Sequence, residues 1–313
     1  MTSHMDTTNS LATLGRIGWV GIGNMGYIMA RRLAQADADL TVFNRSAAKA
    51  EPLRQFGAKV AQDLLDLRGC DLIVTMLATG DVVEDLLLGS NGLFAQASGE
   101  KPRTVVECSS ISVDTSNALR ERLASMGVGF IAAPVSGNPE VVEKGNATFV
   151  VSGPHDVFER VQPMLAAIGK AASYVGEGEA ARVAKICHNI WLGSISQALA
   201  EIIVLGEKAG LSRKAFLAFL NNSALGSAFT KGRTQSWVAL DGVPGFSPQL
   251  MRKDMDLGLD LATSLDMPMP LASATRDFLQ SLINAGDAEP DFTQGLMHQQ
   301  AKASGLIFGK EQP

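Results

Sequence analysis

The segment that most constrains the fold of this chain begins at residue 16 and reads RIGWVGIGNMGYIMARRL. An apolar run leads into glycines spaced G-x-G-x-x-G, at Gly21, Gly23 and Gly26, and a helix-like stretch follows. The pattern predicts a strand, a tight turn and a helix whose first backbone amides are free to bind a pyrophosphate. The glycines permit the turn and close approach of the phosphates to the backbone. We therefore predict a dinucleotide-binding βαβ unit, with Asn24 and Met25 at the phosphate end of the helix.

Short apolar runs alternate with amphipathic stretches from about residue 15 to residue 175. This alternation is typical of a mainly parallel sheet with helices on both faces. Strand-like runs almost disappear after Gly178, and residues 179–209 form a long helical pattern without proline. We predict an α/β Rossmann-type N-terminal domain over residues 14–178 and an all-α C-terminal domain over residues 179–313, joined by the long helix. Other predicted helices cover 25–37, 46–57, 114–127 (capped by Asp114 or Thr115), 212–222, 248–266, 270–285 and 291–304.

The composition limits the class of protein and its partners. Of 313 residues, 46% are hydrophobic and 19% are charged, as in soluble globular proteins. The net charge of −5 argues against a non-specific nucleic-acid binder, which needs a basic excess. No run of 18 apolar residues is present, and the first dozen residues lack the apolar core of a signal peptide. We expect a cytoplasmic protein with no membrane partner, and interpret the letters SHM, which end at Met5, as a cloning scar.

The cysteines and histidines indicate neither disulfides nor a metal centre. Three cysteines without C-x-x-C spacing fit neither a disulfide framework nor a structural zinc site. Apolar neighbours predict that Cys70, Cys108 and Cys187 are buried free thiols in a reducing compartment. The histidines outside residues 185–189 have no second ligand at metal spacing, so we expect no metal.

The residues that end the second predicted strand bear on which nucleotide binds. An NAD site usually carries Asp or Glu here, whose carboxylate accepts from the ribose 2′-hydroxyl. This chain has Asn44, Arg45 and Ser46 instead. A guanidinium binds a 2′-phosphate through charge-assisted hydrogen bonds, whereas a carboxylate repels it. We predict a preference for NADP, with NAD as the alternative cofactor and a solvated loop cation as the alternative role of Arg45.

Four motifs in a fixed order resemble those of the β-hydroxyacid dehydrogenase family. They are GWVGIGNMG, APVSGNPEVVEKG, KICHN and RKDMDLGLDLA, and together they cover about residues 16 to 270. The family includes 3-hydroxyisobutyrate dehydrogenase and, more distantly, 6-phosphogluconate dehydrogenase. The resemblance implies an NAD(P)-dependent enzyme that transfers a hydride between nicotinamide and a small β-hydroxy acid or its semialdehyde.

The resemblance places the substrate acid at the APVSG motif. It implies that Ser136 and Gly137 bind the substrate, and a serine hydroxyl beside a glycine amide is suited to hold a small carboxylate. Asn138 and Pro139 follow where the family usually has another glycine, which leaves the substrate's identity open.

The resemblance also places three loop residues beside the nicotinamide. The ECSS stretch matches a D-x-S-T-like position and puts Ser110 there, next to Ser109. The MLATG stretch places Leu77 and Ala78 by the cofactor, at a position where proline is more typical.

The KICHN motif is where we expect the acid–base chemistry. Removing hydride from an alcohol leaves a hydroxyl proton that a base must take, and reduction needs the reverse. A lysine serves when burial and nearby positive charge lower its pKa. The resemblance gives this role to Lys185 and substrate binding to Asn189, which a helix places on the same face. We expect His188 to shape the pocket, and the resemblance places Lys253 at the active site across the domain cleft.

Two other functions stay open from the sequence. The histidine of KICHN is typical of 6-phosphogluconate dehydrogenases, which are oxidative decarboxylases, although this chain is short for that group. A catalytically silent NADP-binding sensor is the second alternative, against which the intact Lys185 and Asn189 argue. The strongly apolar long helix also predicts a homodimer or homotetramer.

Overall fold

A computed structural model describes residues 11–95, 100–240, 245–286 and 291–308 of the chain. The chain divides into two compact units, one ending at Lys185 and the other starting at Ile186. The predicted boundary between residues 178 and 179 stays a prediction, and Met5 with the letters before it lies outside the described residues.

A six-stranded parallel sheet forms the centre of the first unit. Its strand order is β3-β2-β1-β4-β5-β6, the order of a dinucleotide-binding domain, with the topological switch between β1 and β4. Every residue of β1, β4 and β5 is buried, because helices cover both faces of such a sheet. The Rossmann-type prediction is confirmed. The strands are β1 (Ile17–Val20), β2 (Leu40–Phe43), β3 (Lys59–Val60), β4 (Leu72–Thr75), β5 (Thr104–Glu107) and β6 (Gly129–Ala132).

A smaller sheet extends the first unit beyond β6. Its middle strand β8 pairs antiparallel with β7 and parallel with β9, and a bridge between Ala132 and Ser152 connects it to β6. The strands are β7 (Val135–Ser136), β8 (Thr148–Val151) and β9 (Ala171–Tyr174). The helices of this unit are α1 (Asn24–Gln35), α2 (Gly80–Leu88), α3 (Val113–Ser125), α4 (Pro139–Glu143) and α5 (His155–Ile168).

Two local predictions in the first unit are wrong. Residues 46–57 form short 3₁₀ segments, Ala47–Lys49 and Glu51–Phe56, instead of an α-helix, with a proline in the first turn of the second. Gly57 ends that segment in the left-handed region. The cap of α3 is Ser112, whose hydroxyl accepts from the Thr115 amide at 3.0 Å, because the helix starts at Val113, before both candidate caps.

The regular elements in the described residues of the second unit are all helices, as predicted. The long helix α6 begins in the first unit and continues into the second. Helix α8 was not predicted, because its apolar side chains are sparse and it contains Gly232. Buried Trp237 anchors this helix by donating to the Thr293 hydroxyl at 2.9 Å. The helices are α6 (Ala180–Lys208), α7 (Arg213–Asn222), α8 (Ala228–Ala239), α9 (Pro248–Ser264), α10 (Pro270–Asn284) and α11 (Phe292–Ala303).

Helix α6 is unusually apolar for its length. Among the described residues it alone is long and apolar enough to meet the size of a membrane span, and half of its most apolar window is buried in the protein. Such burial is also found in the core helices of proteins that cross no membrane.

The three cysteines differ in exposure. Cys70 and Cys108 are buried, but Cys187 is exposed on α6, so the prediction for Cys187 is wrong. Apolar neighbours in the sequence do not imply burial here, because successive residues of a helix point to different sides. The neighbouring Ile186 is the residue that packs inward.

Candidate active site

The glycine loop between β1 and α1 has the shape of a phosphate cradle. Gly21 has φ +102°, and a Cβ there would lie 2.3 Å from the Met76 carbonyl oxygen. A Cβ on Gly26 would lie 2.1 Å from the Gly21 carbonyl oxygen, so only glycine lets α1 approach the strand. Around the Cβ position of Gly23, by contrast, no atom lies within 4 Å. The loop is therefore closed on its protein side and open where a ligand would approach.

The first turn of α1 supplies the donors for this cradle. The Tyr27 amide donates to the Gly23 carbonyl at 2.9 Å, which leaves the amides of Asn24, Met25 and Gly26 without an intrahelical partner. Gly23 caps the helix with no side chain in the way. Free amides and the helix dipole favour an anion here, so these residues fit the pyrophosphate of a dinucleotide.

The three residues after β2 have different roles. The Asn44 side chain accepts from the Ile22 amide at 2.9 Å and donates to the Ser46 carbonyl at 2.9 Å, so it braces the glycine loop. Arg45 and Ser46 are exposed. The Arg45 guanidinium makes no hydrogen bond or ion pair with the described part of the chain. It is thus available for a phosphate near the end of β2.

The loops that follow β4 and β5 are joined by a hydrogen bond. The Leu77 amide donates to the hydroxyl of buried Ser109 at 2.8 Å. Leu77 also lies against the glycine loop, because a Cβ on Gly21 would be 2.9 Å from its side chain. Ala78 is exposed and Ser110 is half-buried at the same carboxyl edge of the sheet. The structure therefore places Leu77 against the first glycine, with Ala78 and Ser110 at the same edge of the sheet.

A buried ion pair under these loops was not predicted. Glu107, at the end of β5, and Arg182, in the first turn of α6, are 0% and 2% exposed and form a salt bridge. Neither residue was predicted to be buried, because charged residues are usually solvated. Only the fold brings together two positions 75 residues apart.

Neighbouring Cys108 does not add a nucleophile to this region. Burial raises the pKa of the Cys108 thiol, and Glu107 raises it further, so the thiol stays protonated.

The serine–glycine pair lies at the edge of the smaller sheet. Ser136 ends β7 half-buried, and Gly137 is exposed with φ +139°. Asn138 caps α4 by accepting from the Val141 amide at 2.9 Å, and Pro139 opens that helix. The two residues that depart from the family pattern therefore build a short rigid helix immediately after the pair.

The KICHN segment lies in the first half of α6. Lys185 is half-buried and is the last residue of the first unit, and His188 is exposed. Asn189 is 4% exposed, and its Nδ2 donates to Asp254 Oδ2 on α9 at 2.5 Å. The other carboxylate oxygen of Asp254 lies 3.3 Å from the Lys253 ammonium. Asp254 thus fixes both the predicted substrate amide and the predicted lysine.

The same contacts fix the orientation of His188. Because Asn189 donates through Nδ2, its Oδ1 is the atom that faces His188 Nδ1 at 2.9 Å. The imidazole therefore carries its proton on Nδ1 and donates to Asn189.

The predicted site residues fall into local groups within the two units. In the first unit the glycine loop, Asn44 and Leu77 are in contact, and the Ser136–Gly137 pair lies at the smaller sheet. In the second unit Asn189 and Lys253 contact Asp254, and His188 contacts Asn189. Among the described residues, no three side chains of histidine, cysteine, aspartate or glutamate cluster as metal ligands would.

Comparisons with known proteins match this arrangement. A family model described as the NAD binding domain of 6-phosphogluconate dehydrogenase matches residues 16–176. A second, described as the NAD-binding of NADP-dependent 3-hydroxyisobutyrate dehydrogenase, matches residues 178–298. The chain belongs to the β-hydroxyacid dehydrogenase family. The predicted family and enzyme class are confirmed, and the protein is an NAD(P)-dependent oxidoreductase of this family.

Individual members resemble the chain over nearly its whole length. The 3-hydroxyisobutyrate dehydrogenase of Pseudomonas aeruginosa is 34% identical over 87% of this chain and 93% of its own. The chloroplastic glyoxylate/succinic semialdehyde reductase 2 of Arabidopsis thaliana is 30% identical over 92% of this chain and 80% of its own. The structure of Mycobacterium tuberculosis 3-hydroxyisobutyrate dehydrogenase with L-serine superposes with a TM-score of 0.80. It is 26% identical and covers 91% of this chain and 98% of its own.

Proposed function

We propose that this member of the β-hydroxyacid dehydrogenase family transfers a hydride between NADP(H) and a small β-hydroxy acid or its semialdehyde. The observation that carries the proposal is the fixed side chain of Asn189, the last residue of the KICHN segment. Asn189 is buried and fixed by Asp254, and Lys185 lies four residues earlier on the same face of α6. A lysine can exchange a proton with a substrate hydroxyl group, and an amide beside the lysine can hold that hydroxyl group by a hydrogen bond.

Lys185 is the general acid and base of the proposed reaction. A bound nicotinamide would supply the hydride chemistry, as acceptor for the alcohol carbon or donor for the carbonyl carbon. In oxidation the neutral amine of Lys185 takes the hydroxyl proton, and in reduction its ammonium gives a proton to the carbonyl oxygen. Asn189 orients that oxygen, which shortens the path of the proton.

Ser136 and Gly137 supply the proposed contacts for the substrate's carboxylate. A hydroxyl and a backbone amide are both donors, and Gly137 has no side chain to block approach. The short helix that Asn138 and Pro139 begin limits the room next to the pair, which favours a small acid. The relatives that are named for small hydroxy acids and semialdehydes support this substrate class.

The preference for NADP over NAD rests on Arg45. It is exposed at the carboxyl end of β2 and no carboxylate stands beside it in the sequence. The family model named for an NADP-dependent dehydrogenase supports the preference. Replacement of Arg45 by Ala should raise the KM for NADP(H) by about tenfold or more and leave that for NAD(H) nearly unchanged. Equal effects on the two cofactors would refute the role.

Replacement of Lys185 by Met tests the reaction itself. Turnover of a panel of hydroxy acids and semialdehydes, followed by NADPH absorbance, should be lost while NADPH binding, followed by fluorescence, is kept. The matched control is Lys208→Met at the other end of α6, which removes a bond to the Ser304 carbonyl and should leave turnover intact. Retained turnover in the Lys185 variant would overturn the acid–base role.

A decarboxylating reaction is the second candidate, because His188 stands where 6-phosphogluconate dehydrogenases carry histidine. Release of CO₂ from 6-phosphogluconate with NADP, and no turnover of unphosphorylated hydroxy acids, would favour it. Tight NADPH binding without turnover of any substrate would instead indicate a sensor.

We also propose that the protein is a homodimer or homotetramer in the cytoplasm, with small carboxylates or semialdehydes as its partners rather than nucleic acid or membranes. An apolar stripe on α6 supports the oligomer: Trp191, Ala198, Ile202 and Leu205 are exposed and Ile195 between them is half-buried. Its spacing of alternating four and three residues is that of a helix–helix contact.

A further inference from the structure

All three nitrogens of the Arg182 guanidinium donate hydrogen bonds within the first unit. Its Nε donates to the Ser116 hydroxyl at 3.1 Å and its Nη1 to the Ser109 carbonyl at 2.5 Å. Its Nη2 donates to the Glu107 carbonyl at 3.2 Å and forms the ion pair with the Glu107 carboxylate. A lone charge would be costly at 2% exposure, and these four acceptors compensate it.

Glu107 extends the same network to two cofactor loops. Its Oε1 accepts from the Ser109 amide at 2.7 Å and from the Thr75 hydroxyl at 3.4 Å. Ser109 in turn accepts from the Leu77 amide at 2.8 Å. A continuous chain of hydrogen bonds therefore connects the ends of β4 and β5 to the first turn of α6.

From these contacts we infer that Arg182 and Glu107 are positioning residues for hydride transfer. Lys185 follows Arg182 by three residues on α6, less than one helical turn, so fixing Arg182 fixes the turn that carries Lys185. The same pair fixes the loops of Leu77 and Ser110, which we expect beside the nicotinamide. The inference rests on the proposed function. It adds that one buried ion pair positions both the lysine that transfers the proton and the loops expected beside the nicotinamide that transfers the hydride.

Three conservative variants test the inference. Lysine in Arg182→Lys keeps the charge but has one nitrogen, which cannot reach all four acceptors. Glu107→Asp shortens the carboxylate, and Ser116→Ala removes only the bond to Nε. We expect kcat to fall by about tenfold in the first two and about threefold in the third, with the Kd for NADPH nearly unchanged.

The primary kinetic isotope effect separates positioning from stability. With NADPH deuterated at the transferred position and the best substrate of the panel, the isotope effect should rise in each variant because hydride transfer becomes slower. Rates are normalised to the NADPH binding sites, so unfolded protein does not count. If Arg182→Lys does not fold, the result for Ser116→Ala decides. Wild-type kcat and isotope effect in the folded variants would overturn the inference.

A matched control and the Lys185 variant complete the experiment. Arg213 is a buried arginine of the second unit, 0% exposed and paired with Glu207 at 3.0 Å. Arg213→Lys should lower the melting temperature without changing the isotope effect. An inactive Lys185→Met with unaffected Arg182 and Glu107 variants would reject the positioning role alone. Turnover in Lys185→Met would reject the proposed function.

Discussion

Asp254 shows how one buried carboxylate organises several site residues at the scale of single side chains. It is 4% exposed, accepts from Asn189 and lies beside the Lys253 ammonium. Replacement by Ala leaves the buried amide of Asn189 without its acceptor and frees it to turn. We expect kcat/KM to fall by about 10- to 100-fold, since hydrogen bonds to charged groups contribute about 1.5–3 kcal/mol. Steady-state kinetics of Asp254→Ala measures this.

The control for that variant lies two residues along the same helix. Asp256 pairs with Arg252 at 3.1 Å and with Arg276 at 3.0 Å, at an exposed fraction of 28%. Such partly exposed pairs contribute little, so Asp256→Ala should keep kcat/KM within about twofold of the wild type. Equal losses in both variants would show that Asp254 acts through general destabilisation of α9.

The three thiols should react according to their burial. Burial raises the pKa of Cys70 to about 11 and also raises the pKa of Cys108, so neither forms thiolate near neutral pH. Cys187 is exposed. A disulfide reagent at pH 8 should label one thiol in the native protein and three in denaturant, counted by absorbance, and Cys187→Ser should abolish the native signal. Fast labelling of two thiols in the native protein would contradict the structure.

The role of a residue could be predicted where a short motif defines the chemistry. It could not be predicted where only the fold brings the residues together. Lys185 and Asn189 stand at helical spacing within five letters, so the sequence shows that they share a face. Glu107 and Arg182 carry no such signal, because 75 residues separate them in the sequence. Only strand β5 and helix α6 together bring them into contact.

At the scale of an element, the glycines in the loop between β1 and α1 have different roles. Gly26→Ala places a Cβ against the Gly21 carbonyl and should destabilise the protein by about 1–3 kcal/mol, measured by urea unfolding. Gly23 has extended backbone angles that alanine adopts, and open space around it.

Gly23→Ala should therefore separate binding from stability. Its Cβ enters only the space that a pyrophosphate would occupy, so the Kd for NADPH should rise by about tenfold or more. The melting temperature should stay within about 2 °C of the wild type. A large loss of stability, or unchanged binding, would contradict the assignment of this loop to the phosphates.

Elements with strong periodicity could be predicted, whereas elements held by tertiary contacts could not. The buried strands and α6 have long apolar patterns. The predicted helix at residues 46–57 is broken into 3₁₀ segments. The second of them begins with a proline in its first turn and ends at a glycine in the left-handed region. Helix α8 has a weak apolar face, and its capping box and the Trp237 anchor stabilise it instead.

At the scale of the whole molecule, the spacing of the apolar stripe on α6 suits a two-fold contact between antiparallel copies. Relative to Ala198, its members lie at −7, −3, 0, +4 and +7 residues, so the stripe is nearly symmetric about a small central residue. Two antiparallel copies of α6 would place Trp191 of one copy against Leu205 of the other, twice. These two side chains are 64% and 68% exposed in the single chain.

Charge placed in this stripe should separate the copies. We expect the wild-type protein to have at least about twice the 33.0 kDa mass of the chain by light scattering. Trp191→Glu and Leu205→Glu should each give a folded species of lower mass, because two carboxylates would be buried in every contact. Ile307→Glu is the matched control, since Ile307 is 93% exposed and lies outside the stripe. Unchanged mass in both stripe variants, or a monomeric wild type, would show that α6 does not form the contact.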